Sequence, residues 1–191
     1  MEAGKRRQRR SIRWVGHDYA QAGAYFVTIC THGHVCLFGR VVDDIMQLNA
    51  AGTAVERCWD AIPGHFPQVA LDAFVVMPNH VHGIVVIGNV GARHASPVPG
   101  DAEGAAERDE GARAKGAPAR SLGAIVGSYK AAVSRQINRM RASAGESVWQ
   151  RNYYEHVIRN ARQLHRIRRY IEANPANWAV DRENPAARAR P

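Results

Sequence analysis

The feature that most constrains this chain is a pair of apolar runs, Ala73-Phe74-Val75-Val76 and Gly83-Ile84-Val85-Val86-Ile87, separated by Met77-Pro78-Asn79-His80-Val81-His82. Proline and asparagine supply turn chemistry, so the pattern predicts two strands, 69–76 and 80–87, joined by a tight reversal. Side chains alternate along a strand, which puts His80 and His82 on one face and Val81 on the other. Two imidazoles fixed side by side on a rigid scaffold suit a metal or a phosphate. The same residues also fit a polar pair at the frayed start of a strand, and the rest of the chain has to decide between these readings.

Upstream, Tyr25 to Thr31 is aromatic and β-branched enough for a strand, and Val35 to Asp44 with Ile45 to Leu48 reads as further short extended pieces that open the same sheet. From Asn49 the period changes. Ala54, Val55, Cys58, Trp59 and Ile62 recur at helical spacing until Pro63-Gly64 stops them. Downstream, Leu122, Ile125, Val126, Tyr129, Val133 and Ile137 trace an amphipathic helix with Lys130, Arg135 and Arg139 on its other side. Val148 to Ile158 makes a last strand. Asn160 caps a helix from Ala161 that Pro175 ends, with Leu164, Ile167 and Ile171 as its buried stripe. The expected fold is therefore α+β: a ferredoxin-like split β-α-β-β-α-β antiparallel sheet, both covering helices on one face, and an appended C-terminal helix. The other face is left for His80 and His82.

The 191 residues suffice for one substantial core, so we expect a basic tail over 1–13, a single domain over 14–180 with a flexible insertion at 91–120, and a C-terminal tail over 181–191. The insertion is rich in Gly, Ala and Pro and balances five basic against five acidic residues. The formal charge of +9 thus resides elsewhere: in the tail, with Arg6, Arg7, Arg9 and Arg10, and between Ser121 and Tyr170, where ten Lys or Arg face only Glu146 and Glu155. Such a balance points to a polyanionic partner, nucleic acid first. Cys30, Cys36 and Cys58 lack C-x-x-C spacing and read as ordinary thiols of a reducing cytoplasm. No apolar run has the length of a membrane span, and the expectation is a cytoplasmic protein without membrane partners.

On the last helix Tyr170 and Asn174 are four residues apart and share a side, at about 100° per residue. If a metal sits on His80 and His82, the Asn174 amide oxygen can be a third ligand, and Tyr170 then lies beside the bound substrate. A cation that polarises a phosphate makes its phosphorus a better target for a phenol, and the product of that attack is a phosphotyrosine. Taken singly, a tyrosine at a helix edge also fits packing, and asparagine before proline a helix stop. Tyr153 and Tyr154 are rival nucleophiles on a strand, without a ligand four residues on. They also suit the stacking of unpaired bases near Arg151 and Arg159. His156 fits a DNA contact or a structural role.

The run from Met77 to Ile84 resembles the His-hydrophobic-His motif of the single-tyrosine transposases that act on single-stranded DNA. The run Trp149-Gln150-Arg151-Asn152-Tyr153-Tyr154-Glu155-His156-Val157-Ile158-Arg159-Asn160, continued by Arg169 to Pro175, resembles the REP-associated branch of that family. The resemblance also takes in 10–38 and the Phe74 region. It implies that His80 and His82 bind Mg²⁺ or Mn²⁺, with Asn174 as third ligand, and that Tyr170 attacks DNA to leave a 5′-phosphotyrosine and a free 3′-hydroxyl. In related insertion-sequence transposases a glutamine stands where Asn174 does here. Arg6, Arg7, Arg9, Arg10, Lys130, Arg151 and Arg159 are the expected contacts to single-stranded or hairpin DNA, and the resemblance permits monomer and homodimer alike. Imidazole ligands keep Zn²⁺ open as well. Two rivals stand beside this reading. One is a nucleic-acid-binding regulator with the same fold and little catalysis; the other is a zinc hydrolase, which lacks a third His, Asp or Glu ligand at an informative spacing.

Overall fold

The computed structural model describes residues 21–88, 120–142 and 145–188. The basic tail with Arg6, Arg7, Arg9 and Arg10, and the insertion apart from Arg120, lie outside them. Four strands carry the main sheet: β1 (Gly23–Cys30), β4 (Val69–Met77), β5 (His80–Ile87) and β6 (Tyr154–Ile158). Their order is β4-β5-β1-β6, and every neighbouring pair is antiparallel. With the helices α1 (Ala50–Asp60) and α3 (Leu122–Met140) crossing between strands, this is the expected split β-α-β-β-α-β sheet.

Alternation along β1 and β5 sorts the apolar side chains into two cores. Tyr25, Val27, Ile29, Val81 and Val85 point to the side covered by α1 and α3, where they meet Val55, Trp59, Ile125, Tyr129 and Val133. Phe26 and Ile84 point the other way and, with Ile158, are capped by Ile167 and Ile171 of α4 (Ala161–Glu172). Each of these helices starts on a cap visible in the sequence: the side chains of Asn49, Ser121 and Asn160 accept from the backbone N–H groups of Gly52, Ala124 and Gln163.

Two expectations need correcting. Residues 35–48 do not open the main sheet. β2 (Gly39–Val42) and β3 (Ile45–Leu48) pair only with each other, in a hairpin whose turn residues Asp43 and Asp44 both have positive φ, 49° and 62°. The last strand is also shorter than Val148 to Ile158. It begins at Tyr154, and Trp149 contributes an isolated bridge to Thr31 while its ring packs on Phe38 in the first core. Between α1 and β4 a single further turn, α2 (Ile62–His65), ends the helical stretch, and a short α5 (Pro185–Arg188) closes the described chain.

Candidate active site

His80 and His82 are not at a frayed strand end. β5 is central, paired to β1 through Cys30↔His80 and Thr28↔His82 and to β4 through Met77↔His80 and Val75↔His82. The reversal before them is clamped from outside: Leu37 N and Phe38 N donate to Pro78 O at 2.7 and 3.0 Å, and Thr31 N donates to Asn79 O at 2.8 Å. Both imidazoles are buried on the α4 side of the sheet, with their Nε2 atoms 3.1 Å apart.

Their other ring nitrogens are held. Nδ1 of His80 lies 2.8 Å from Asn79 Oδ1, an acceptor, so Nδ1 carries the proton and Nε2 keeps its lone pair. Nδ1 of His82 lies 2.8 Å from the Thr28 hydroxyl, which can donate or accept. His82 can therefore present Nε2–H to His80, or a second Nε2 lone pair to a cation, without any heavy atom moving. Burial pushes His80 down to about 4, against the raising effect of the Asp181 and Glu183 carboxylates. Burial, and then the neighbouring His80, hold His82 well below the ordinary imidazole value. Both rings are thus neutral near pH 7, the form in which imidazole binds metals.

α4 delivers the remaining groups. Ile167 and Ile171 seat the helix on the sheet, and Arg168 locks it there with paired bonds to Asp72, Nε to Oδ1 at 2.8 Å and Nη2 to Oδ2 at 2.6 Å. Asp72 lies in the register shift of β4 between Leu71 and Phe74. Tyr170 follows two residues on, half exposed, its hydroxyl 3.3 Å from His82 Nε2 and its ring edge-on to Phe26 at 6.1 Å. Partial burial raises its phenol above the ordinary value, Asp181 adds to that, and Asn174 opposes it. One turn later Asn174 is 2% exposed; it lies close enough to His80 and Tyr170 to bias their protonation, yet its buried Oδ1 has no hydrogen-bond partner among the described residues. An orphaned buried acceptor beside two imidazole lone pairs fits a cation.

The residue missed in the sequence is Asp181. Its carboxylate lies with the His80 and His82 donor nitrogens inside a group spanning no more than 4.8 Å. A 3-10 stretch (Pro175–Val180) after α4 turns the chain back, and no local spacing announces that return. Two imidazole nitrogens, a carboxylate and an amide oxygen fit a divalent ion of the Mn²⁺, Mg²⁺ or Zn²⁺ type.

The other expected residues divide. Tyr154 and His156 face the site side, in register with Thr28 and Phe26, and Tyr154 lies edge-on to Phe26 at 6.2 Å. Tyr153 packs against the opposite core. Arg151 and Arg159 are exposed. Lys130 is tied down, donating to the carbonyls of Gln150 and Arg151 at 2.6 and 3.1 Å, so it fastens α3 to the segment before β6. Arg162, Arg166 and Arg169, not singled out from the sequence, form an exposed stripe along α4 at spacings of four and three residues. Among the described residues no helix is long and apolar enough to cross a membrane.

Sheet, appended helix and buried histidine pair together define a transposase-like α+β fold. A REP-associated tyrosine transposase solved with a REP hairpin superposes with a TM-score of 0.55 at 15% identity, over 87% of this chain and 74% of that one. A candidate transposase from Deinococcus radiodurans R1 matches less well, with a TM-score of 0.42 at 16% identity over 84% of this chain and 96% of its own. No family model matches the sequence. The chain belongs to the same family as an uncharacterized protein of Haemophilus influenzae, to which it is 40% identical over 174 residues, 91% of each chain.

Proposed function

We propose that the chain is a metal-dependent DNA transesterase of the single-tyrosine transposase type, nicking and rejoining single-stranded or hairpin DNA. The observation that carries this reading is the half-exposed Tyr170, its hydroxyl 3.3 Å from His82 Nε2, beside a set of nitrogen and oxygen donors of which both imidazoles are buried. His80, His82, Asp181 and Asn174 would hold the ion, Mn²⁺ or Mg²⁺, which when bound polarises a phosphate oxygen and stabilises charge as it develops.

The protein's own part is nucleophile and geometry. Tyr170 Oη forms a bond to the phosphorus of a DNA phosphodiester, the bond from phosphorus to the 3′ oxygen breaks, and the proton lost from the phenol is balanced by one taken up at the departing 3′ oxygen. A 5′-phosphotyrosine and a free 3′-hydroxyl result. The ester bond energy stays in the adduct, so a 3′-hydroxyl can later displace Tyr170 and join a strand without a nucleotide cofactor. Partial burial holds the Tyr170 phenol above its ordinary value, so the neutral form prevails until positive charge is supplied beside it. Phe26 holds the ring edge-on, and the Arg168–Asp72 pair fixes the helix turn that carries it.

Hairpin DNA of the REP kind is the substrate we favour, because the superposing transposase was solved on such a hairpin. The α4 arginine stripe supports nucleic-acid binding independently, and it also suits a second reading, a binding regulator without catalysis. One experiment separates them. The full-length protein is incubated with single-stranded and hairpin oligonucleotides plus Mn²⁺ and run on a denaturing gel. A covalent adduct that Tyr170→Phe abolishes is the expected result. Binding without adduct supports the regulator, and an adduct retained in Tyr170→Phe removes Tyr170 as nucleophile.

A further inference from the structure

Beside the histidine pair lies a second cluster that the transesterase mechanism does not use. Cys30 ends β1, His34 closes the 3-10 turn His32–His34 that follows it, and Glu183 comes from the C-terminal segment. Glu183 Oε2 is 2.9 Å from His34 Nδ1 and 3.7 Å from Cys30 Sγ, and one donor atom from each of the three residues lies within 4.8 Å of the others. Neighbouring ligands of a tetrahedral zinc, at bond lengths of about 2.0 to 2.3 Å, are roughly 3.3 to 3.8 Å apart. Glu183 is therefore at ligand spacing from Cys30 and within a few tenths of an ångström of it from His34, and the Cys30 and His34 donors, within 4.8 Å of each other, need at most about 1 Å of closure.

From this arrangement we infer that Cys30, His34 and Glu183 form a second metal site, taking a zinc-class cation and separate from the His80, His82 and Asp181 group. The donor set decides the class: a thiolate and an imidazole select borderline-soft ions such as Zn²⁺ over Mg²⁺. Binding converts the Cys30 thiol to thiolate, with the proton released to solvent, and leaves a fourth position for water.

The far nitrogen of His34 is held too: its Nε2 is 2.7 Å from the amide nitrogen of Gln150, and a half-turn of that amide puts its oxygen there instead. With the amide oxygen turned toward it, Nε2–H donates to Gln150 and the Nδ1 lone pair faces Glu183 and Cys30, where a cation must stand between nitrogen and carboxylate. With the amide nitrogen toward it, Nδ1–H simply donates to Glu183. His34 also holds a left-handed backbone, φ 57°, which is sparsely populated for a non-glycine residue and aims its ring into the cluster.

The position suggests what the ion does. Asn79 Nδ2 donates to His34 O at 3.0 Å and to Glu183 O at 2.6 Å, while its Oδ1 accepts from His80. A cation on Cys30, His34 and Glu183 clasps the C-terminal segment to the end of β1, and that segment carries Asp181 to the histidine pair. The clasp does not depend on the transposase reading.

The test uses metal-stripped full-length protein titrated with Co²⁺, a coloured stand-in for Zn²⁺, followed by thermal melts with Zn²⁺. A thiolate-to-cobalt charge-transfer band should appear, vanish in Cys30→Ser, weaken at least tenfold in apparent affinity in Glu183→Gln, and persist in Cys36→Ser and in the His80→Ala, His82→Ala double variant. Zn²⁺ should raise the Tm of the wild type and of Cys36→Ser but not of Cys30→Ser, with circular dichroism checking that each variant is folded. A wild type that gives no thiolate band, or a band that survives Cys30→Ser, overturns the site.

Discussion

The Thr28 hydroxyl lies 2.8 Å from Nδ1 of His82, on the strand next to it and directly opposite in register. That contact turns a strand-borne histidine into an adjustable ligand, because a hydroxyl can accept the imidazole proton or donate its own. The ring plane is fixed in either case, and the same ring stacks on Phe26 at 5.4 Å.

Thr28→Val tests that role. Valine suits the strand and keeps the volume, so the fold should persist, while Nδ1 of His82 loses its partner and the ring its tautomer control. Losing such an outer partner costs about 10- to 100-fold in metal affinity. Isothermal titration with Mn²⁺ should show that loss at an unchanged melting temperature; unchanged affinity would remove Thr28 from the site.

The Asp72–Arg168 pair gives a pH prediction. The Arg168 hydrogen bond is the main reason that the Asp72 carboxyl lies below its ordinary range. A depressed carboxyl contributes stability that is complete above its unfolded value and fades as pH falls through the folded one, so the contribution should be full at pH 7 and shrink below about pH 4. Asp72→Asn should lower Tm at neutral pH, and its gap to the wild type should close in acid melts. Because the pair seats the turn carrying Tyr170, the variant should also slow adduct formation on the order of ten-fold or more, as a displaced reacting group does.

What was legible in the sequence was what local periodicity dictates. A strand's period of two put His80 and His82 on one face, and a helical turn put Asn174 one turn beyond Tyr170, before any tertiary contact was known. Asp181 and Glu183 were not legible, because a 3-10 stretch folds them back onto residues a hundred or so positions upstream. Residues 35–48 carried a real strand signal, but alternation says nothing about which sheet a strand joins, and the Asp43-Asp44 turn closes them on each other. Lys130 was expected to contact DNA from the polar face of its helix, and no local pattern showed that the carbonyls of Gln150 and Arg151 come within its reach. Tyr153 and Tyr154 were indistinguishable as neighbours. Tyr153, just before β6, packs on the core and Tyr154 faces the site side, so Tyr154 is the rival left, and with Tyr170 as nucleophile Tyr154→Phe should leave the adduct intact.

Gly83 follows His82 and faces the other core, beneath the stacked rings of Trp59 and Phe74, whose centroids are 4.4 Å apart. A β-carbon there would run into the Trp59 ring. Gly83→Ala should therefore destabilise by about 1–3 kcal/mol as an overpacked core does. At about 2–4 °C per kcal/mol for a chain of this size, a Tm drop of several degrees should be read by calorimetry. An unchanged Tm would show that the tryptophan moves aside at no cost.

The exposed arginines of α4 make the last prediction. Arg162, Arg166 and Arg169 run along the helix that carries Tyr170, whereas the pairing of Arg168 with Asp72 commits that residue to structure. If the stripe tracks a DNA backbone, each arginine neutralises a phosphate and releases counterions, so log affinity falls with log salt by roughly 0.7 per contact on a single strand and 0.9 on a duplex. The triple variant Arg162→Gln, Arg166→Gln, Arg169→Gln should weaken hairpin binding about equally for every loop sequence and flatten the salt slope by roughly two to three. The same substitutions in the Tyr170→Phe background should act identically, because binding precedes chemistry. Fluorescence anisotropy across a salt series measures both quantities. A triple variant with the wild-type slope would move the DNA track off α4 and onto other basic residues, Arg151 among them.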